Sequence, residues 1–85
     1  MSVQPEPVTR DALAALVGLC NELFATDDIT GSDNFFMLGG TSLTAVELTI
    51  NLRSGYGLEL PVEAVFTENT LADLALCCTV PQKPE

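Results

Sequence analysis

Apolar residues in the first third of the chain recur at helical spacing. Leu13, Leu16, Val17, Cys20, Leu23 and Phe24 form a single stripe. Thr9 stands where an N-cap is expected, and Asp11 would then fall in the first turn, where an acid complements the helix dipole. From Ala25 to Thr41 the periodicity lapses into ATDDITGSDNFFMLGGT. A loop of this length is uncommon in so small a domain and is usually functional. Phe35, Phe36 and Leu38 are its candidates for anchoring to the core. A second helix is predicted from about Ser42 to Arg53, stopping at SGYG, where Gly55 and Gly57 supply the C-terminal turn. Pro61 opens a short third helix in which Val62, Val65 and Phe66 form the apolar side. Thr70 begins a fourth, with Asp73 placed as in a capping box and Leu71, Leu74 and Ala75 facing inward. No segment alternates like a strand. The expected fold is therefore all-α: a small four-helix bundle, three main helices plus one short helix, with a long loop between helices 1 and 2. Residues 1–8 and 79–85, each carrying prolines, read as flexible N- and C-terminal tails around one domain spanning 9–78.

The second helix carries two apolar faces. Ala45, Leu48, Thr49 and Leu52 are spaced i, i+3, i+4, i+7, and Leu43, Val46, Glu47 and Ile50 repeat that spacing two residues earlier. At roughly 100° per residue, the two sets lie about 160° apart. A helix on the outside of a small bundle buries only one face. The first set is assigned to the core and the second, which holds Glu47 and starts beside Ser42, to the surface.

Charge narrows the partners. Twelve acidic residues against three basic ones leave a net charge of −9. Nucleic acid would be repelled, because its binding needs lysine and arginine to neutralise phosphates. A protein bearing a basic patch would be steered in. Eighty-five residues, 47% of them hydrophobic, suffice for one compact core. Three cysteines, Cys20, Cys77 and Cys78, make a poor disulfide framework and suggest a reducing compartment. The N-terminus has no signal-peptide pattern and no stretch approaches a membrane span, so a soluble cytoplasmic protein is expected.

Several chemistries lack their residues. The chain has no histidine, which removes the usual base of a serine or cysteine hydrolase. Thr44 stands where the nucleophile elbow G-x-S-x-G needs its last glycine. Gly39-Gly40-Thr41-Ser42 lacks the lysine of a phosphate-binding P-loop. The cysteines are not spaced for zinc, and the loop acids Asp27, Asp28 and Asp33 miss the EF-hand register, so no metal is expected. What remains is a serine on a glycine turn at a helix start. Ser42 reads either as a plain N-cap or as a hydroxyl that an enzyme could modify, and the two roles can coexist. A phosphate attached there would lie by the free N–H groups of the helix N-terminus.

The stretch DNFFMLGGTSL, Asp33 to Leu43, resembles the core motif D-x-F-F-x-L-G-G-x-S-L of carrier proteins (thiolation domains), especially peptidyl carrier proteins of nonribosomal peptide synthetases. The resemblance extends over roughly Thr9 to Leu76 and includes LPVEAVFTENTLADLA. It implies that Ser42 carries a covalent 4′-phosphopantetheine arm installed from coenzyme A by a phosphopantetheinyl transferase, with Gly39, Gly40 and Thr41 as the motif turn. The arm's thiol would hold aminoacyl or peptidyl groups as thioesters and pass them between biosynthetic enzymes. The chain itself would not be an enzyme. Implied partners are adenylation, condensation, thioesterase or tailoring enzymes, docking on Leu43, Val46, Glu47 and Ile50, with no nucleic acid and no membrane; a monomer is expected. Antibiotic biosynthesis is the setting such carriers suggest. Met37, Thr41 and Asn69 depart from the residues common at those positions. Two alternatives stay open: an acyl carrier for polyketide or fatty-acyl chains, and an unmodified helical docking adaptor.

Overall fold

A computed structural model describes residues 7–80, with side chains from Arg10 onward. Four helices follow in order: α1 (Pro7–Leu23), α2 (Ser42–Tyr56), α3 (Val62–Thr67) and α4 (Leu71–Cys77). The all-α bundle expected from the pattern is the architecture found, with α1 packed on both α2 and α4 and the short α3 between α2 and α4. Among the described residues, no helix is long and apolar enough to cross a membrane.

The first helix starts earlier than its apolar stripe. Its first residue is Pro7, whose fixed φ suits the first helical position, so Thr9 is already helical backbone and Asp11 lies beyond the first turn. The side chain of Thr9 and the segments 1–6 and 81–85, most of both expected tails, lie outside the described residues. The buried stripe of α1 is also rotated from the expected one. Ala12, Ala15, Leu16 and Cys20 are buried, whereas Leu13, Val17 and Leu23 pack half-exposed at its margins. Small alanines on the contact face let the partner helices come close.

The loop between α1 and α2 is a built element, pinned along its length. Ala25 adopts a left-handed φ of 54° and ends α1; the Thr26 N–H donates to the Asn21 carbonyl (2.9 Å) and the Ala25 N–H to the Glu22 carbonyl (3.4 Å). Farther along, the Gly31 and Asp33 carbonyls accept from the Ala72 and Leu71 N–H groups, both at 2.9 Å. The loop thereby satisfies backbone donors that the start of α4 cannot satisfy within the helix. Ile29 and Phe35 are buried, and rings run continuously from Phe24 through Phe35 and Phe36 to Phe66 on α3, with centroids 5.3–5.5 Å apart. Phe66, on the expected apolar side of α3, is half-exposed and covers Phe36 from outside.

The remaining ends follow their caps. Gly57, at φ 66°, turns the chain out of α2, and Gly55 is helical rather than part of the turn. Pro61 is the N-cap of α3, one residue before its first turn. Thr70 caps α4 by accepting the Asp73 N–H at 3.2 Å, which is one half of a capping box. Thr79, expected in the C-terminal tail, forms a two-bond antiparallel bridge with Glu59 (2.7 and 2.9 Å) and closes α4 against the segment after α2.

The two-faced reading of α2 has a direct test. Leu48 is 1% exposed and Ile50 57%. Leu48→Ala is expected to lower unfolding free energy by about 2–5 kcal/mol, and Ile50→Ala by no more than about 0.5 kcal/mol. Urea denaturation with an unchanged slope is the check.

Candidate functional site

The site is the turn from Asn34 to Ser42. Asn34 Oδ1 accepts from the N–H groups of Phe36 (2.9 Å) and Met37 (3.0 Å). The N–H groups of Leu38, Gly39 and Gly40 donate in turn to the carbonyls of Asn34, Phe36 and Phe35, each at 3.1 Å. Gly39 sits at φ 108°, where a side chain is strained. Gly40 is required for a different reason: a Cβ there would run into the edge of the Phe35 ring and lie 2.8 Å from the Phe35 carbonyl oxygen. Phe35 is 2% exposed and has nowhere to go.

Thr41, not Ser42, is the N-cap of α2. Its backbone is extended, its Oγ1 accepts the Thr44 N–H at 3.3 Å, and its own N–H donates to Thr44 Oγ1 at 2.7 Å. This is a capping box with Thr44 in the place usually held by glutamate. The β-hydroxyl of a threonine three residues on was the signal, but T-x-x-T is far less distinctive than S-x-x-E. Relieved of capping, Ser42 is the first helical residue, exposed, and its hydroxyl is in no hydrogen bond among the described residues. The N–H groups of Ser42 and Leu43 have no intrahelical acceptor by geometry, and the capping box takes those of Thr41 and Thr44 instead. Two free donors on the positive end of a 15-residue helix, beside a hydroxyl with two glycines before it, suit the phosphate of an attached arm.

Beyond Ser42 the outer face of α2 opens to solvent. Leu43 is 69% exposed, Val46 41% and Ile50 57%, and Glu47 lies exposed among them. On the opposite face Ala45, Leu48 and Leu52 are buried, and the hydroxyl of half-buried Thr49 donates to the Val46 carbonyl at 2.8 Å. Met37, the departure just before Leu-Gly-Gly, is 86% exposed. Asn34 was not singled out by the pattern; an Asn that starts an Asx turn before two aromatics was the available sign.

The cysteine thiols are held in their protonated form. Burial pushes the Cys20 and Cys78 thiols up to about 11, and desolvation, then Glu68 and Asp73, raises that of Cys77. All three are free thiols and poor thiolates at neutral pH. Among the described residues, no group of three or more His, Cys, Asp or Glu side chains could hold a metal ion.

Comparison with known proteins identifies the family. A family model described as "Phosphopantetheine attachment site" matches residues 10–78. Phosphinothricin tripeptide synthetase PhsB of Streptomyces viridochromogenes is 37% identical over 67 residues, covering 79% of this chain and 6% of that protein. Malpibaldin synthetase of Mortierella alpina is 42% identical over 74 residues, 87% of this chain and 1% of that protein. The chain thus spans only a small part of the length of these relatives. A solved structure titled "Non Ribosomal PCP domain" superposes with a TM-score of 0.77 at 30% identity, covering 95% of this chain and all of the other.

Three substitutions separate the roles in the turn. Thr41→Ala is expected to cost about 0.5–2 kcal/mol through the lost cap. Ser42→Ala should stay within about 0.5 kcal/mol of the parent, and Gly40→Ala should cost about 1–3 kcal/mol through overpacking on Phe35. Thermal or urea melts read all three; a Ser42→Ala loss as large as that of Thr41→Ala would contradict the cap assignment.

Proposed function

This chain belongs to the phosphopantetheine attachment-site family and is a carrier domain of the nonribosomal peptide synthetase kind; we propose that Ser42 is its attachment residue. Carrier domains are not catalytic themselves, and we read this one as having no activity of its own. The observation that carries the assignment is an exposed serine at the first position of α2, freed from capping by Thr41.

The residues fit the group the family bears. The Ser42 and Leu43 N–H groups and the α2 dipole would hold the phosphate, and Gly39 and Gly40 leave its approach open. During attachment Ser42 Oγ would bond to the phosphorus of coenzyme A that carries pantetheine. The bond to the adenosine-bisphosphate half would break, and the serine proton would pass to a base of the transferase. Once bound, the arm supplies a thiol able to hold aminoacyl or peptidyl groups as thioesters.

The same reading assigns residues 9–78 as the carrier unit and Leu43, Val46, Glu47 and Ile50 as the surface met by the transferase and by adenylation, condensation, thioesterase or tailoring enzymes. Exposure of this apolar row beside Ser42 supports it, and so does the net charge of −9, which steers in basic surfaces. Cytoplasmic residence belongs to the reading as well, supported by three free cysteines.

Intact mass after incubation with coenzyme A and a promiscuous phosphopantetheinyl transferase tests the assignment. The parent chain is expected to gain one arm and Ser42→Ala none. An arm on Ser42→Ala moves the site elsewhere, and no gain on either chain supports an unmodified adaptor.

A further inference from the structure

We propose that Asn34 is the positioning residue for Ser42, fixing the turn that presents the serine hydroxyl and tying that turn to the start of α4. The proposal rests on Ser42 being the attachment residue.

The carboxamide of Asn34 is used from both ends. Oδ1 accepts two N–H groups, from Phe36 and Met37, which fills its capacity as an acceptor. Nδ2 donates to the carbonyl of Asn69, the residue before the α4 cap Thr70. The neighbouring residues make the same connection through backbone, Asp33 to Leu71 and Gly31 to Ala72. Asn34 is therefore the side chain that joins the turn ahead of Ser42 to the corner between α3 and α4.

Its control over Ser42 follows from what lies between. Gly39 and Gly40 have more backbone freedom than any other residue type, so they hold a defined path only if both ends of the turn are held. The downstream end is held by the Thr41–Thr44 box and the upstream end by the two N–H bonds to Asn34. Gly39 and Gly40 themselves donate to the Phe36 and Phe35 carbonyls, in the stretch of backbone that Asn34 pins, so release of the upstream end would loosen those bonds and with them the aim of the hydroxyl. The exposed face of α2 would be untouched, because Val46 and Ile50 are placed by the helix itself. Loss of Asn34 should thus weaken transfer at the docked complex rather than docking.

The experiment is arm transfer from coenzyme A to the apo chain by a phosphopantetheinyl transferase, followed by intact mass over varied chain concentration. Rates are expressed per folded molecule, with helix content from circular dichroism. Asn34→Ala removes both the acceptor and the tether; Asn34→Asp keeps the acceptor, loses the donor to Asn69 and sets a carboxylate oxygen beside that carbonyl. The expected result is a fall in kcat on the order of tenfold to a hundredfold for Asn34→Ala, with KM unchanged and most of the rate restored in Asn34→Asp. Amide exchange at Phe36 and Met37 should quicken in the Ala variant and recover in the Asp variant. If Asn34→Ala folds too poorly to assay, Asn34→Ser takes its place, with an intermediate kcat expected. Wild-type kcat in Asn34→Ala or its substitute, equal losses in the Ala and Asp variants, or a rise in KM alone would each overturn the proposal. Ser42→Ala in the same assay keeps the two readings apart: modification of that variant defeats the assignment of Ser42, whereas an inert Ser42→Ala beside a wild-type Asn34→Ala defeats only the role of Asn34.

Discussion

The turn ahead of the serine is built on the backbone of Gly40 lying on the buried ring of Phe35. Phe35 is sealed between Phe24 from the end of α1 and Phe36 from its own turn, so it cannot yield. Its carbonyl also accepts the Gly40 N–H, so backbone and ring hold the same residue from two sides. From there a single residue, Thr41, leads into α2, and it closes the entry with its box to Thr44. The hydrophobic core thus reaches the surface through an aromatic ring and stops one residue short of the helix whose first position is Ser42. An exposed residue acquires a defined place without itself taking part in packing, which leaves its hydroxyl free for chemistry.

This arrangement explains why a long irregular segment is compatible with a small stable domain. Irregular backbone must find hydrogen-bond partners that a helix would supply internally. Here the loop finds them in three places: at the end of α1, within its own Asn34 turn, and at the start of α4. The exchange is mutual, since α4 is only seven residues long and two of its leading N–H groups are satisfied by the loop. Loop and short helix each complete the other, and the Glu59–Thr79 bridge fastens the far end of α4.

The fold class and the turn that holds the candidate site were legible because they rest on large side chains and on glycine. Leu48, Leu52, Leu71 and Leu74 announce their buried faces by spacing, and the Leu-Gly-Gly-Thr-Ser run marks a close approach before a helix. What sequence alone did not show depends on which of two adjacent residues wins a local competition. Thr41 and Ser42 are both good caps. Threonine prevails because the Phe35–Gly40 contact sets where the chain leaves the turn, a constraint spread over six residues and a ring. Ala12 and Ala15 were passed over because a stripe read from bulky residues gives no weight to the small ones that let helices touch. The apolar side of α3 gave no sign that Phe66 would lie on another ring at the surface rather than be fully buried. Thr79 pairs with a residue twenty positions away, which no local pattern encodes.

As the docking surface proposed above, the outer face of α2 suits contacts that form and dissolve repeatedly. Leu43, Val46 and Ile50 make one narrow row, broken by Glu47 and flanked by polar Thr44 and Asn51. Three partly exposed aliphatic side chains offer roughly a few hundred Å² of apolar surface, within what monomeric proteins ordinarily expose. A stable interface of standard size needs about 800 Å² from each partner. The row therefore supplies a site of adhesion but not enough area to hold a partner permanently. A net charge of −9 acts in the same direction, since two copies meeting through this face would bring Glu47 toward Glu47 within an already repulsive field. That disfavours self-association and favours partners with basic rims, whose on-rates rise by electrostatic steering while their off-rates stay fast. Weak apolar area combined with strong long-range charge gives rapid exchange, which is what one exposed hydroxyl serving several enzymes in turn would require.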